Sequence, residues 1–136
     1  MITKYSINAE RFPTLDVEYE DLLMLNYRED ARYGSGSIDC LGVVLEVFKR
    51  AGLGLPDPRA SGRAAFRFSE LFEPAEAPDT LFDVISSNRK QHVAVVVRTG
   101  LAISAESCAG VIVRPTKIFT KLPNVKYWRV RTDSLP

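Results

Sequence analysis

Apolar positions recur at helical spacing through the first half of the chain and gather into extended runs in the second. Tyr19, Leu22, Leu23 and Asn26 share one face at the i, i+3, i+4, i+7 spacing, with Asp16 placed to cap a helix there. Tyr33-Gly34-Ser35-Gly36-Ser37 follows as a loop. From Asp39 a second stripe, Leu41, Val44, Leu45 and Phe48, predicts the best-defined helix of the chain. Gly52 supplies its stop, and Gly54-Leu55-Pro56-Asp57-Pro58 forbids continuation. Ala65, Phe68 and Phe72 align in a third helix expected over residues 60–72, and residues 73–80, with Pro74 and Pro78, read as an irregular connection.

Beyond that connection the period changes. Residues 81–86, 92–98, 101–105, 110–113 and 125–131 are strand candidates, and Thr99-Gly100 fits a tight hairpin turn. Helices first and a strand meander afterwards predict an α+β domain, with N-terminal helices packed on an antiparallel sheet of about five strands. Residues 1–136 are expected to form a single domain, with an N-terminal arm over 1–15 and a variable connecting region over 59–80.

Composition narrows the function classes. A formal net charge of +1 and a pI near 7.8 give no case for nucleic-acid binding. Arg59, Arg63 and Arg67 read as a solvated helix face. No window approaches the roughly 20 apolar residues of a membrane-spanning helix. The opening residues, Met1 to Asn8, lack the apolar region of a signal peptide. Two cysteines, Cys40 and Cys108, make neither a disulfide framework nor, with His92 as the only histidine, a zinc site. A single bridge between them stays open, and would consume the most interesting thiol of the chain. No metal and no cofactor is expected.

That thiol is Cys40. It falls in the first turn of its predicted helix, where unpaired backbone N–H groups favour an anion and are expected to lower its pKa. The same N–H groups could hold an oxyanion, and Gly42 is expected to leave space beside the sulfur. His92 opens the strand His92-Val93-Ala94-Val95-Val96-Val97, and an imidazole near a thiol completes a nucleophile and its base. Each alone is more often core structure than chemistry.

Together these segments resemble the NlpC/p-sixty family of papain-like cell-wall peptidases. That family places its nucleophile in an Asp-Cys-Ser-Gly-type motif at a helix head, matched here by Asp39-Cys40-Leu41-Gly42 and the run to Gly52-Leu53-Gly54-Leu55-Pro56. Its base sits in a His-Val-Gly-Ile-Tyr-type strand, matched by His92-Val93-Ala94-Val95-Val96. Asp83-Val84-Ile85 resembles the strand that precedes that histidine, and Val125-Lys126-Tyr127-Trp128-Arg129 resembles the final strand of phage-associated members. The family also has a tyrosine near the nucleophile, for which Tyr27 is the counterpart and Tyr33 a competitor.

The resemblance implies Cys40 as nucleophile and His92 as base, with Tyr27, Tyr33, Asp39, Leu41 and Gly42 lining the substrate. The family's third catalytic position, usually histidine, falls on Ser104. Glu106 shares its face by strand alternation, and is expected to orient His92, alone or through Ser104. The implied substrate is a peptidoglycan stem peptide, cut at a γ-D-glutamyl bond without metal or cofactor. A delivering protein or a phage-like tail tip is the implied partner, with assembly into a particle acting at the cell wall. The alternative is an assembly module that keeps the fold without the activity, which the serine at position 104 favours.

Overall fold

The structure, a computed structural model, describes residues 17–52, 54–55, 72–87 and 92–130. A short 3-10 helix, Glu20–Met24, leads to β1 (Asn26–Tyr27), β2 (Ser37–Ile38) and helix α1 (Cys40–Arg50). Then come β3 (Phe72–Ala75), β4 (Val84–Ser87), β5 (His92–Arg98), β6 (Leu101–Glu106), β7 (Gly110–Pro115), the short helix α2 (Thr116–Phe119) and β8 (Lys126–Val130). Six strands form one antiparallel sheet in the order β3-β8-β4-β5-β6-β7, while β1 and β2 make a small parallel pair.

Helix α1 lies across one face of this sheet. Its buried side is Val43, Val44, Val47 and Phe48, so the apolar stripe is rotated from the expected one: Leu41 and Leu45 are only half-buried. β5 runs between β4 and β6 and is buried on both faces. Val93, Val95 and Val97 join the core beneath α1, and Ala94 and Val96 pack with Ile85 and Phe119 on the other side. A strand covered twice needs no polar face, which explains its unbroken apolar run.

Three expectations change. The helix expected from Asp16 is, over the described residues, a single 3-10 turn whose N-cap is Tyr19 and whose one buried residue is Leu22. It stops because the backbone beyond it has other partners: Asn26–Tyr27 pairs with Ser37–Ile38, and the Leu25 carbonyl accepts from Val111 N–H at 3.3 Å. Tertiary pairing overrides the local period. Second, Phe72 opens the edge strand β3, which runs on into the segment expected to be irregular. Pro74 sits opposite Trp128 in that strand, and an edge strand is where a residue without an N–H is tolerated. Residues 56–71, which hold the rest of the third expected helix, lie outside the described residues, as do Asp16 and the arm over 1–15. Third, β3 is an unexpected edge strand, so that the antiparallel sheet expected to have about five strands counts six among the described residues.

The strand expected from residue 81 begins at Val84, because Phe82 adopts a left-handed backbone with φ 70°. Such strain costs about 1–3 kcal/mol. Burial of the Phe82 ring, tilted against Phe48 at 6.0 Å, returns a comparable amount, about 1.5–3 kcal/mol. Asp83 supplies the rest of the anchor. Its buried carboxylate accepts from Arg129 at 2.9 and 2.7 Å and from Thr80 N–H at 3.0 Å. Burial pushes its carboxyl up, and the Arg129 guanidinium opposes that rise. The pair ties the start of β4 to β8.

The head of α1 is set by a close approach. A Cβ on Gly42 would stand 2.7 Å from Ile38 Cγ1 and 2.8 Å from the Ala31 carbonyl oxygen. The absent side chain therefore lets the helix seat on the loop that precedes it, rather than opening space at the sulfur. Gly42→Ala should lower the unfolding free energy by about 1–3 kcal/mol through overpacking. Urea unfolding checks it, and an unchanged midpoint would contradict the close packing.

Candidate active site

Cys40 is the first residue of α1, and Asp39 is its N-cap in an extended conformation. One carboxylate oxygen of Asp39 accepts from Gly42 N–H at 2.7 Å and from Arg32 Nη1 at 2.9 Å; the other accepts from Asp30 N–H at 2.9 Å. Asp39 N–H in turn donates to the Ala31 carbonyl at 3.1 Å. The residue is buried and fully engaged, so it fixes the cysteine's place rather than offering acceptors to a substrate. Gly42, also buried, belongs to the same joint.

Cys40, His92 and Tyr27 line one cavity of about 530 Å³, together with Glu106 and Arg114. Ile118, Phe119 and Leu122 make an apolar wall, and Ala105 and Ser107 complete the lining. Tyr33 lies elsewhere: its hydroxyl is 3.4 Å from Asp21, and the Arg50 guanidinium sits 4.9 Å from its ring centroid, at the far end of α1. Leu41 is half-buried and does not line the cavity.

The electrostatics differ from the expectation of a depressed thiol. Burial pushes the Cys40 thiol up, and the neighbouring Asp39 carboxylate adds to the rise. Backbone N–H groups of Val93, Leu41 and Cys40 favour the thiolate without outweighing that burial. Desolvation disfavours whichever form is charged, so it pushes His92 the other way, down. Both shifts favour the uncharged forms, thiol and imidazole, at neutral pH. No disulfide joins Cys40 to Cys108.

The imidazole stacks on Phe119, with centroids 6.3 Å apart and planes 14° from parallel. Glu106 acts on it by charge, favouring imidazolium against burial. Glu106 is itself gripped by Arg114, Nε to Oε2 at 3.1 Å and Nη2 to Oε1 at 3.2 Å. The fully buried Ser104 donates its hydroxyl to Glu106 Oε2 at a long 3.4 Å. The hydrogen bond of Ser104 thus goes to Glu106 rather than to His92.

Arg114 and Phe119 were not singled out by sequence reasoning. Arg114 lies past the expected end of the fourth strand, although β7 in fact runs to Pro115 and β6 to Glu106. The hairpin register, Glu106 opposite Gly110 and Ala102 opposite Arg114, is the signal that places both on adjacent strands. Phe119 sits in a four-residue helix, too short to show a period. Among the described residues, no group of three His, Cys, Asp or Glu side chains is placed to hold a metal ion, and no helix is long and apolar enough to cross a membrane.

No protein-family model and no curated protein matches the chain. Among solved structures it is similar to a lipoprotein-like protein of the NLP/p-sixty family from Staphylococcus aureus, at 16% identity and a TM-score of 0.56. The match covers 93% of this chain and spans 40% of that protein's length. The α+β architecture on a single six-stranded antiparallel sheet is thus an NlpC/p-sixty-like fold.

Proposed function

We propose that the protein is a cysteine peptidase that hydrolyses a peptidoglycan stem peptide, with Cys40 as nucleophile and His92 as base. The observation that carries this reading is their meeting in one cavity, the thiol at a capped helix head and the imidazole at a strand start, with a carboxylate acting on that imidazole. Because burial favours the uncharged form of both groups, His92 takes the thiol proton as the sulfur attacks the amide carbonyl. Backbone N–H groups at the head of α1 stabilise the developing oxyanion. The C–N bond then breaks, the imidazolium gives its proton to the leaving amine, and a thioester remains. Water, deprotonated by His92, cleaves that thioester and restores the thiol. Glu106 stabilises the imidazolium that appears twice in this cycle. Delivery by a partner protein, such as the tail tip of a phage-like particle, completes the reading.

A second reading rests on the same site. A thiol raised by burial and an imidazole lowered by it make a poor spontaneous nucleophile, and a serine stands at the third position. On that reading the fold serves as an inactive subunit of a tail-like assembly. Digestion of purified sacculi separates the two. The peptidase reading expects soluble muropeptide release by the parent protein and a loss of at least about a hundredfold in Cys40→Ala. Equal release by both proteins would leave only the scaffold.

The charge state is checked by iodoacetamide alkylation in a Cys108→Ser background, which leaves Cys40 as the reporter. Its rate should be low at pH 7 and climb through a pKa above that of an ordinary thiol, since the raised value keeps thiolate scarce below it. A plateau already reached at neutral pH would reveal a preformed ion pair instead.

Glu106→Gln should lower kcat by roughly ten- to hundredfold, because imidazolium loses its counter-charge in the transition state. The sign of the accompanying pH change is fixed. Glu106 raises the His92 pKa, so its neutralisation lowers that pKa further and moves the acidic limb of the rate profile to lower pH. A profile that stays in place would remove Glu106 from the proposed machinery.

A further inference from the structure

A base that carries a proton from sulfur to nitrogen must be held in one orientation, because small misplacements cost rate. Among the described residues no hydrogen bond reaches the His92 imidazole: the Ser104 hydroxyl donates to Glu106, and Glu106 acts on the imidazole by charge. The flat surface against it is the Phe119 ring, 6.3 Å away between centroids and 14° from parallel, within the range of an offset stack. The fold holds that ring firmly. His92, Ala94 and Val96 share one face of β5 by strand alternation, and the buried Phe119 packs on that face with Ile85 and Ala102. Ala94 and Ala102 are small enough to let a ring lie against the sheet. The segment that carries Phe119 is tied on both sides of it. Thr116 N–H donates to the Gly100 carbonyl at 2.9 Å, and the Ser87 hydroxyl donates to the Pro123 carbonyl at 2.7 Å. Ser87 is also the register partner of His92, so one strand pair places both the imidazole and the chain that bears the ring.

We propose that Phe119 is the positioning residue of the base, orienting the His92 imidazole by its aromatic face in place of a hydrogen-bonding third residue. This inference rests on the peptidase reading of the Cys40 and His92 cavity and says how that base is aimed. An aromatic face carries negative charge density, so it accommodates imidazole and imidazolium alike. It fixes the plane of the ring without requiring a proton on either nitrogen. The two tasks of a hydrogen-bonded orienter are thereby divided: Phe119 sets the plane, and Glu106 favours the charged form. A serine at position 104 then leaves the base oriented.

The test compares Phe119→Leu, which keeps an apolar side chain but loses the flat face, with Phe119→Tyr, which keeps the face. Hydrolysis of a synthetic stem peptide by the full chain is read as kcat and KM. Phe119→Leu should lower kcat roughly ten- to hundredfold with KM changed by less than about threefold, and Phe119→Tyr should retain most of the turnover. Iodoacetamide capture of Cys40 in the Cys108→Ser background needs no base, so its pH profile should not move in either variant. Full kcat in Phe119→Leu, equal losses in both variants, or a displaced alkylation profile would each reduce Phe119 to packing and leave the peptidase standing. No hydrolysis by the unaltered protein would overturn both. One measurement needs no variant. His92 is the only histidine, so its imidazole protons give a single set of NMR signals. Those protons should show cross-relaxation with the Phe119 ring, and its absence in the folded protein would overturn the stack.

Discussion

One carboxylate holds the site together. Asp39 caps the helix that begins with Cys40, and in the same stroke takes Arg32 and the Asp30 N–H into its two oxygens. A capping contact alone contributes about 1 kcal/mol. Here it also sets where the loop lies against the helix, with Gly42 small enough to let the Ala31 carbonyl approach. The position of the sulfur is therefore a consequence of loop packing, settled before any chemistry. Asp39 exacts a cost for this service, since its negative charge adjoins the thiol and disfavours thiolate.

That cost clarifies how the site balances its charges. A helix terminus contributes at most about 2 kcal/mol to an adjacent anion, and less where it is solvated. Burial of an ionisable group exceeds this readily. With Cys40 half-buried beside a carboxylate, the terminus loses, and the thiol keeps its proton at rest. Burial also disfavours a proton on His92, with the Glu106 charge opposing it. The two shifts are opposed to a standing ion pair and suit the proton transfer that the proposed attack requires.

What the sequence made legible follows from local physics. The helix at residue 39, the strand at 92 and the hairpin at Thr99-Gly100 rest on strong periodicity and turn chemistry, and they lie where expected. Elements decided by distant partners were not legible. The stripe Tyr19, Leu22, Leu23 yields a 3-10 turn because Leu25 serves β7, and Phe72-Glu73-Pro74 is a strand only because β8 is beside it. The site divides the same way. Cys40 and His92 stood out by residue type and local context, and Glu106 by alternation with Ser104. Arg114 required the register of β6 on β7, and Phe119 required the turn after β7. The preference between Tyr27 and Tyr33 likewise depended on where a glycine-rich loop sends its flanks.

The β6–β7 hairpin is where these threads meet. It carries Glu106 on one strand and Arg114 on the other, so its placement decides how their charges face His92. Its turn ends at Gly110, which has φ 74° and would bring a Cβ to 2.9 Å from the Leu25 carbonyl oxygen. Val111 N–H donates to that same oxygen, and two residues beyond it Tyr27 forms part of the cavity wall. The backbone that aims the tyrosine is thus the backbone that anchors the charged hairpin. A side chain at position 110 would be disfavoured twice, by the left-handed backbone and by the carbonyl in its way. Relief of that clash would have to move the hairpin off Leu25, and with it the carboxylate on which the imidazole depends. The surroundings of the His92 imidazole are in this sense set from the chain's first described turn, more than eighty residues before Glu106 in sequence.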